Sequence, residues 1–143
     1  KMVGRSIENA ISYGVSRRIA ERNIQIKDTL SEFPNFLIEN RNKVYHITNP
    51  PYLYIGYIAK HKENQGQLRY FTGVNSGLQD LYQLALMNDL RNGIEQMVYI
   101  IPSNFLFGHS VSNLIRRSFL KNYVITDAII FRKKVSLKIQ GST

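Results

Sequence analysis

The chain has 143 residues, 43% of them hydrophobic and 20% charged, a balance that excludes a wholly disordered or fibrous protein and fits one domain or part of one. It has no cysteine, which excludes a disulfide scaffold and a thiolate zinc site, and its longest apolar runs fall well short of the roughly 20 residues that cross a bilayer. With 19 Lys+Arg against 10 Asp+Glu the net charge is +9, which favours a polyanionic partner, nucleic acid ahead of an anionic membrane.

The first periodic segment, residues 7–23, places Ile7, Ala10, Ile11, Val15, Ile19 and Ala20 near one helical face and predicts a single surface helix with a basic back. Residues 24–26 alternate apolar and polar, the pattern of a short strand that ends at Lys27-Asp28-Thr29. Residues 44–48 predict a second strand, stopped by Pro50-Pro51 because neither proline has an N–H for a ladder. From 54 to 77 the chain is aromatic, basic and punctuated by glycine, and reads as a long loop. Helical spacing returns over 78–90 and stops at Asn92-Gly93. Residues 97–101 form a continuous apolar run suited to a strand buried on both faces, ended by Pro102-Ser103-Asn104. Ser110 is placed to cap a helix over 111–122, and residues 125–130 and 135–139 read as two closing strands. The alternation of strands and helices predicts an α/β fold within a single domain over 1–143, without internal repeats.

In an open α/β sheet, ligands gather at the carboxyl ends of the strands, and the sharper of the two proline-fixed exits is Asn49-Pro50-Pro51-Tyr52. Proline fixes φ and holds its predecessor extended, so the Asn49 side-chain oxygen and the Pro50 carbonyl can face one point. Two acceptors there suit an NH₂ group, and the Tyr52 phenol offers a face for a planar ring. The composite fits a planar heterocycle or an amide that carries an exocyclic amine. Lys60, Lys62 and Arg69, set among aromatics, read as contacts to a nucleic-acid backbone. Phe105 and Phe107 are candidates to wall the base pocket. The three histidines, His46, His61 and His109, are isolated in sequence and read as surface or satisfied residues, so no metal is expected.

Thr48-Asn49-Pro50-Pro51-Tyr52 resembles the catalytic motif of S-adenosylmethionine-dependent amino methyltransferases, above all the adenine-specific DNA methyltransferases of restriction-modification systems. The resemblance extends through Asp80-Leu81-Tyr82, Val98-Tyr99-Ile100-Ile101 with its Pro102-Ser103-Asn104-Phe105 exit, and Ile130-Phe131-Arg132-Lys133-Lys134-Val135-Ser136. It implies a partial Rossmann-like class I methyltransferase sheet with flanking helices. It also implies methyl transfer from S-adenosylmethionine to the exocyclic amine of a flipped-out adenine in DNA; the cytoplasm is the expected location on the separate ground that no membrane-crossing run or leader pattern is read.

Asn49, Pro50 and Tyr52 are then the implied catalytic residues, Pro51 lines the base site, and Phe131 takes the second face of the base with Phe105 near it. Val3-Gly4-Arg5-Ser6-Ile7-Glu8 resembles the end of the family's second strand, so Glu8 falls where the cofactor ribose is held. Asp28 and Thr29 resemble the third-strand loop that contacts the cofactor's adenine. The family's glycine-rich cofactor loop and its target-recognition domain have no counterpart in these residues, so the chain reads as the central part of a larger enzyme. The same turn geometry also suits a glutamine amide of a protein, and an incomplete cofactor site suits a nucleic-acid-binding fragment or half of a split enzyme.

Overall fold

The computed structural model describes residues 2–35 and 45–131, and the backbone divides into two compact units, residues 1–35 and 36–143. In the first unit α1 (Met2–Ser12) and α2 (Arg17–Asn23) replace the single helix expected over 7–23. The break has a local cause. Gly14 adopts φ 89°, its N–H donates to Ile11 O at 2.9 Å, and the Val15 N–H donates to Ala10 O at 3.0 Å. This crossed pair of bonds is a Schellman ending, which needs a left-handed residue and so selects glycine. Arg17 then bridges Glu8 at 3.0 Å and Glu21 at 3.5 Å, and the Glu8 carboxylate raises the Arg17 pKa. The expected strand at 24–26 is not present; three alternating residues offer too short a ladder to hold a partner, and the segment is irregular.

The second unit is a mixed helix–strand fold around a two-stranded parallel sheet. Strand β1 (Tyr45–Thr48) pairs with β2 (Gln96–Tyr99) in the register Tyr45↔Gln96 to Thr48↔Tyr99. The Ile100 N–H extends the ladder by donating to Thr48 O at 3.0 Å. Side chains alternate along a strand, so Met97 and Tyr99 turn into the core, while Ile47 (73% exposed) and Val98 (54%) share the outer face. The expectation of a strand buried on both faces is thereby corrected: among the described residues, helices cover one side of this sheet.

Between the strands the chain is more regular than its composition suggested. The stretch expected as a long loop folds as α3 (Ile55–Lys60), followed by 3-10 helices at Lys62–Phe71 and Gly73–Asn75. Ile58 and Phe71 are the buried anchors of this layer. Helix α4 (Leu81–Arg91) starts three residues later than its apolar spacing suggested, because Asp80 caps it by accepting from the Tyr82 N–H at 3.3 Å. It is buried nearly all round, with Leu81, Tyr82, Leu84 and Leu86 packed and the polar Gln83 and Asp89 enclosed with them.

After β2 come α5 (Asn104–Phe107) and α6 (Val111–Leu120). The core joins Tyr82 and Leu86 of α4 to Phe105, Ile115 and Phe119, with Phe105 edge-on to Phe119 and Tyr123 stacked on it. Arg116 ties the last two helices by donating to Phe105 O at 2.7 Å and Leu106 O at 2.8 Å. Ser110 precedes α6 without a side-chain capping bond. The strand expected at 125–130 is absent, and among the described residues no strand pairs with this exposed segment; the one expected at 135–139 lies outside the described residues.

Candidate active site at the carboxyl edge of the sheet

Because β1 and β2 run parallel, their exits open on the same edge of the sheet, the place where α/β folds collect ligands. Asn49-Pro50-Pro51-Tyr52 leaves β1 there, with Pro50 buried and Asn49 and Pro51 exposed. A buried proline with fixed φ gives the turn a rigid seat. The Tyr52 ring is 45% exposed, and its hydroxyl reaches both the Asn49 Oδ1 and the Ile100 carbonyl. Asn49 and Tyr52 therefore face each other across the mouth of the turn, and β2 contributes the carbonyl that completes the arrangement. Partial burial raises the Tyr52 pKa, so the phenol is a proton donor throughout the neutral range.

A phenol has one proton for two acceptors. The conflict resolves if the Asn49 amide is turned over, since its oxygen and nitrogen ends are nearly equivalent in shape. The amide NH₂ then donates to the phenol oxygen, the phenol donates to Ile100 O, and Oδ1 faces outward as an acceptor. In either orientation the phenol restrains the amide.

Downstream, the turn is sewn to the start of α4. The Leu53 N–H donates to Asp80 Oδ1 at 3.2 Å, the Leu81 N–H donates to Leu53 O at 3.2 Å, and the Ile55 N–H donates to Gln79 O at 2.8 Å. Tyr54 and Asp80 form an isolated antiparallel bridge. Asp80 is half-buried, and desolvation raises its pKa against the pull of the backbone N–H donors that favour its charge. Asp80 entered the sequence reading only within the Asp80-Leu81-Tyr82 resemblance; its bond to Leu53, 27 positions away in sequence, had no local signal.

The remaining candidates fall in different places. Phe105 is 4% exposed and packs edge-on against Phe119, so its ring serves the core, while Phe107 two positions on is exposed. Phe131 is exposed at the end of the described residues. Lys60 closes α3 and Lys62 opens the following 3-10 helix, both at the surface. Arg69 lies over its neighbour Tyr70, 4.9 Å from the ring centroid, and donates to the Tyr70 hydroxyl at 2.9 Å. Close to the lysines, Tyr57 stacks on His61 at 3.7 Å between centroids.

Glu8, Asp28 and Thr29 belong to the first unit. Glu8 is paired with Arg17, and Asp28 accepts from Ser31 through both carboxylate oxygens, at 3.3 Å from the backbone N–H and 2.8 Å from the hydroxyl. Both acids are engaged within the first unit, Glu8 across to α2 and Asp28 in its own turn, and form no ready cradle for a ribose diol. Among the described residues no group of three or more His, Asp and Glu is placed to hold a metal, and no helix is long and apolar enough to cross a membrane.

Comparison with known proteins adds one finding. A family model described as Eco57I restriction-modification methylase matches residues 3–136, a span that runs through both compact units and contains the Asn49–Tyr52 turn. No curated protein and no solved structure matches the chain.

Proposed function

Because the chain belongs to the Eco57I restriction-modification methylase family, we propose that it methylates DNA at the exocyclic amine of adenine, with S-adenosylmethionine as the methyl donor. The observation that carries this reading is the facing pair of Asn49 and Tyr52 at the carboxyl edge of a parallel sheet. The family match across both units also supports one catalytic domain of Rossmann-like ancestry, to which residues 1–143 contribute.

The amine of adenine is a poor nucleophile because its lone pair is delocalised into the ring. An acceptor at Asn49 Oδ1 and another at the Pro50 carbonyl would bind the two N–H bonds and favour a tetrahedral nitrogen, exposing the lone pair. The arrangement works by alignment and fixed dipoles, with no covalent intermediate on the protein. A paired adenine cannot reach such a turn, so the base is flipped out at a cost of a few kcal/mol and held by stacking on the half-exposed Tyr52 ring. Pro51 lines the same turn, and Phe131 is the proposed second face. Lys60 and Lys62, with Arg69 in a lesser role, are the proposed contacts to the DNA backbone.

The test is methylation of unmodified DNA with labelled S-adenosylmethionine, read as N6-methyladenine after digestion. Asn49→Ala is expected to abolish the product while leaving DNA affinity within a few-fold. Product formed at the wild-type rate by this variant, or label carried by protein glutamine, rejects the assignment.

A further inference from the structure

We infer that Asp80 is a positioning residue for the Asn49–Tyr52 turn: its carboxylate grips the Leu53 N–H and so fixes where the Tyr52 ring is presented. The inference rests on the base-holding reading of that turn and extends it to a residue on another element.

An ordinary helix cap needs one oxygen aimed at the first turn of its own helix. Asp80 Oδ1 does this through the Tyr82 N–H at 3.3 Å and also accepts from Leu53 at 3.2 Å. Leu53 directly follows Tyr52, and its carbonyl is held as well, by the Leu81 N–H at 3.2 Å. Both polar backbone groups of the residue next to the stacking ring are thus taken by two consecutive residues at the head of α4.

The anchor is rigid. Leu81, Tyr82, Gln83 and Leu84 are all buried, the Gln83 side chain accepts from the Gln79 N–H at 2.8 Å, and the Tyr82 hydroxyl donates to Asn104 Oδ1 at 2.9 Å on α5. A carboxylate pressed into this position is half-buried and loses solvation, an outlay that capping at the surface would not require. The second bond, to Leu53, is what the inward placement gains.

Residue chemistry separates the two duties. Serine caps helices as well as aspartate does, but its hydroxyl is one atom shorter and cannot span to Leu53 while it caps. Asparagine keeps both the reach and an acceptor oxygen. In the full chain, Asp80→Ser is expected to speed hydrogen exchange at the Leu53 amide by about ten-fold, the loss of one charge-assisted bond, while amides within α4 keep their protection. Asp80→Asn is expected to restore Leu53 protection to within about three-fold.

The functional readout is a single-stranded dA oligonucleotide with one fluorescent 2-aminopurine, whose emission reports capture of an unstacked base. Asp80→Ser is expected to weaken that capture by about ten-fold and Asp80→Asn to recover most of it. Unchanged Leu53 exchange in Asp80→Ser, or an Asp80→Asn variant as impaired as Asp80→Ser, overturns the inference. Capture absent from the wild type, or undiminished in Tyr52→Ala, rejects the base-holding reading instead, while the exchange data still report on the tether.

Discussion

His46 on β1 and Asp89 on α4 meet at 2.6 Å between Nδ1 and Oδ2. Asp89 is 1% exposed, and the same Oδ2 also accepts from the Tyr99 hydroxyl on β2. One buried carboxylate oxygen therefore fastens both strands of the sheet to the central helix. Since β1 leads into the Asn49–Tyr52 turn and β2 into Ile100, this fastening lies directly behind the candidate site.

Removing the carboxylate leaves two half-buried groups, the His46 ring and the Tyr99 hydroxyl, without their acceptor. Asp89→Ala is expected to destabilise the chain by about 2–4 kcal/mol, the penalty for two hydrogen-bonding groups that lose a shared acceptor. Denaturant unfolding checks this, and a loss below about 1 kcal/mol would mean that His46 and Tyr99 find other partners at little expense.

Tyr99 supplies a dependence on alkaline pH. Burial, then the adjacent Asp89 charge, pushes its phenol far above the usual value of 10. In the unfolded chain the same group ionises near pH 10. The native state then holds a proton that the unfolded state releases, so stability from this group is complete below pH 10 and falls as pH rises above it. The expected slope is about 1.4 kcal/mol per pH unit for one such group. Unfolding measured between pH 9 and pH 11 in wild type and Tyr99→Phe checks it: the variant is expected to start less stable and to fall less steeply.

Tyr52→Phe tests the phenol at the site itself. A ring face alone would make this change mild, but the hydroxyl is engaged with Asn49 and the Ile100 carbonyl. Its loss frees the amide to rotate. We expect methyl transfer to fall about ten-fold, the rate equivalent of one hydrogen bond, with oligonucleotide binding close to wild type because stacking persists. Tyr52→Ala is expected to lose both. Equal rates for wild type and Tyr52→Phe would show that the ring face is all that matters.

The lysines flanking residue 61 predict a salt signature. Each phosphate contact contributes about 0.9 to the slope of log affinity against log salt on duplex DNA. Replacing Lys60 and Lys62 together by Ala is expected to reduce the slope by about 2, whereas Arg69→Ala, whose guanidinium is already on Tyr70, is expected to change it less. Binding titrations at several salt concentrations decide the matter; an unaltered slope in the double variant removes this surface from the interface.

What the sequence revealed followed the range of the interactions involved. The Asn49–Tyr52 turn was legible because proline geometry is local, and α4 and the two strands were legible because apolar spacing is. Gly14 ended a helix by adopting a left-handed conformation that periodicity does not encode. The helices between 55 and 75 hide under aromatic and glycine-rich composition, and only burial of Ile58 and Phe71 makes them cohere. Of Phe105 and Phe107, named together as candidates for a pocket wall, Phe105 is drawn inward by its edge-on partner Phe119, fourteen positions away, which no local pattern announced. His46 with Asp89, and Asp80 with Leu53, are contacts between distant elements and left no pattern along the chain.

The recognisable tetrapeptide is not self-sufficient. Its phenol finishes on a main-chain oxygen contributed 48 positions later, at Ile100. Grafting Asn49-Pro50-Pro51-Tyr52 after a strand of some unrelated scaffold would transfer the amide, the ring and the prolines but not that oxygen, which belongs to no side chain and cannot be supplied by any choice of residue. The phenol's hydrogen bonding is thus a property of the neighbouring strand's path, and a backbone shift at Ile100 would leave that hydroxyl unmatched with all four letters intact.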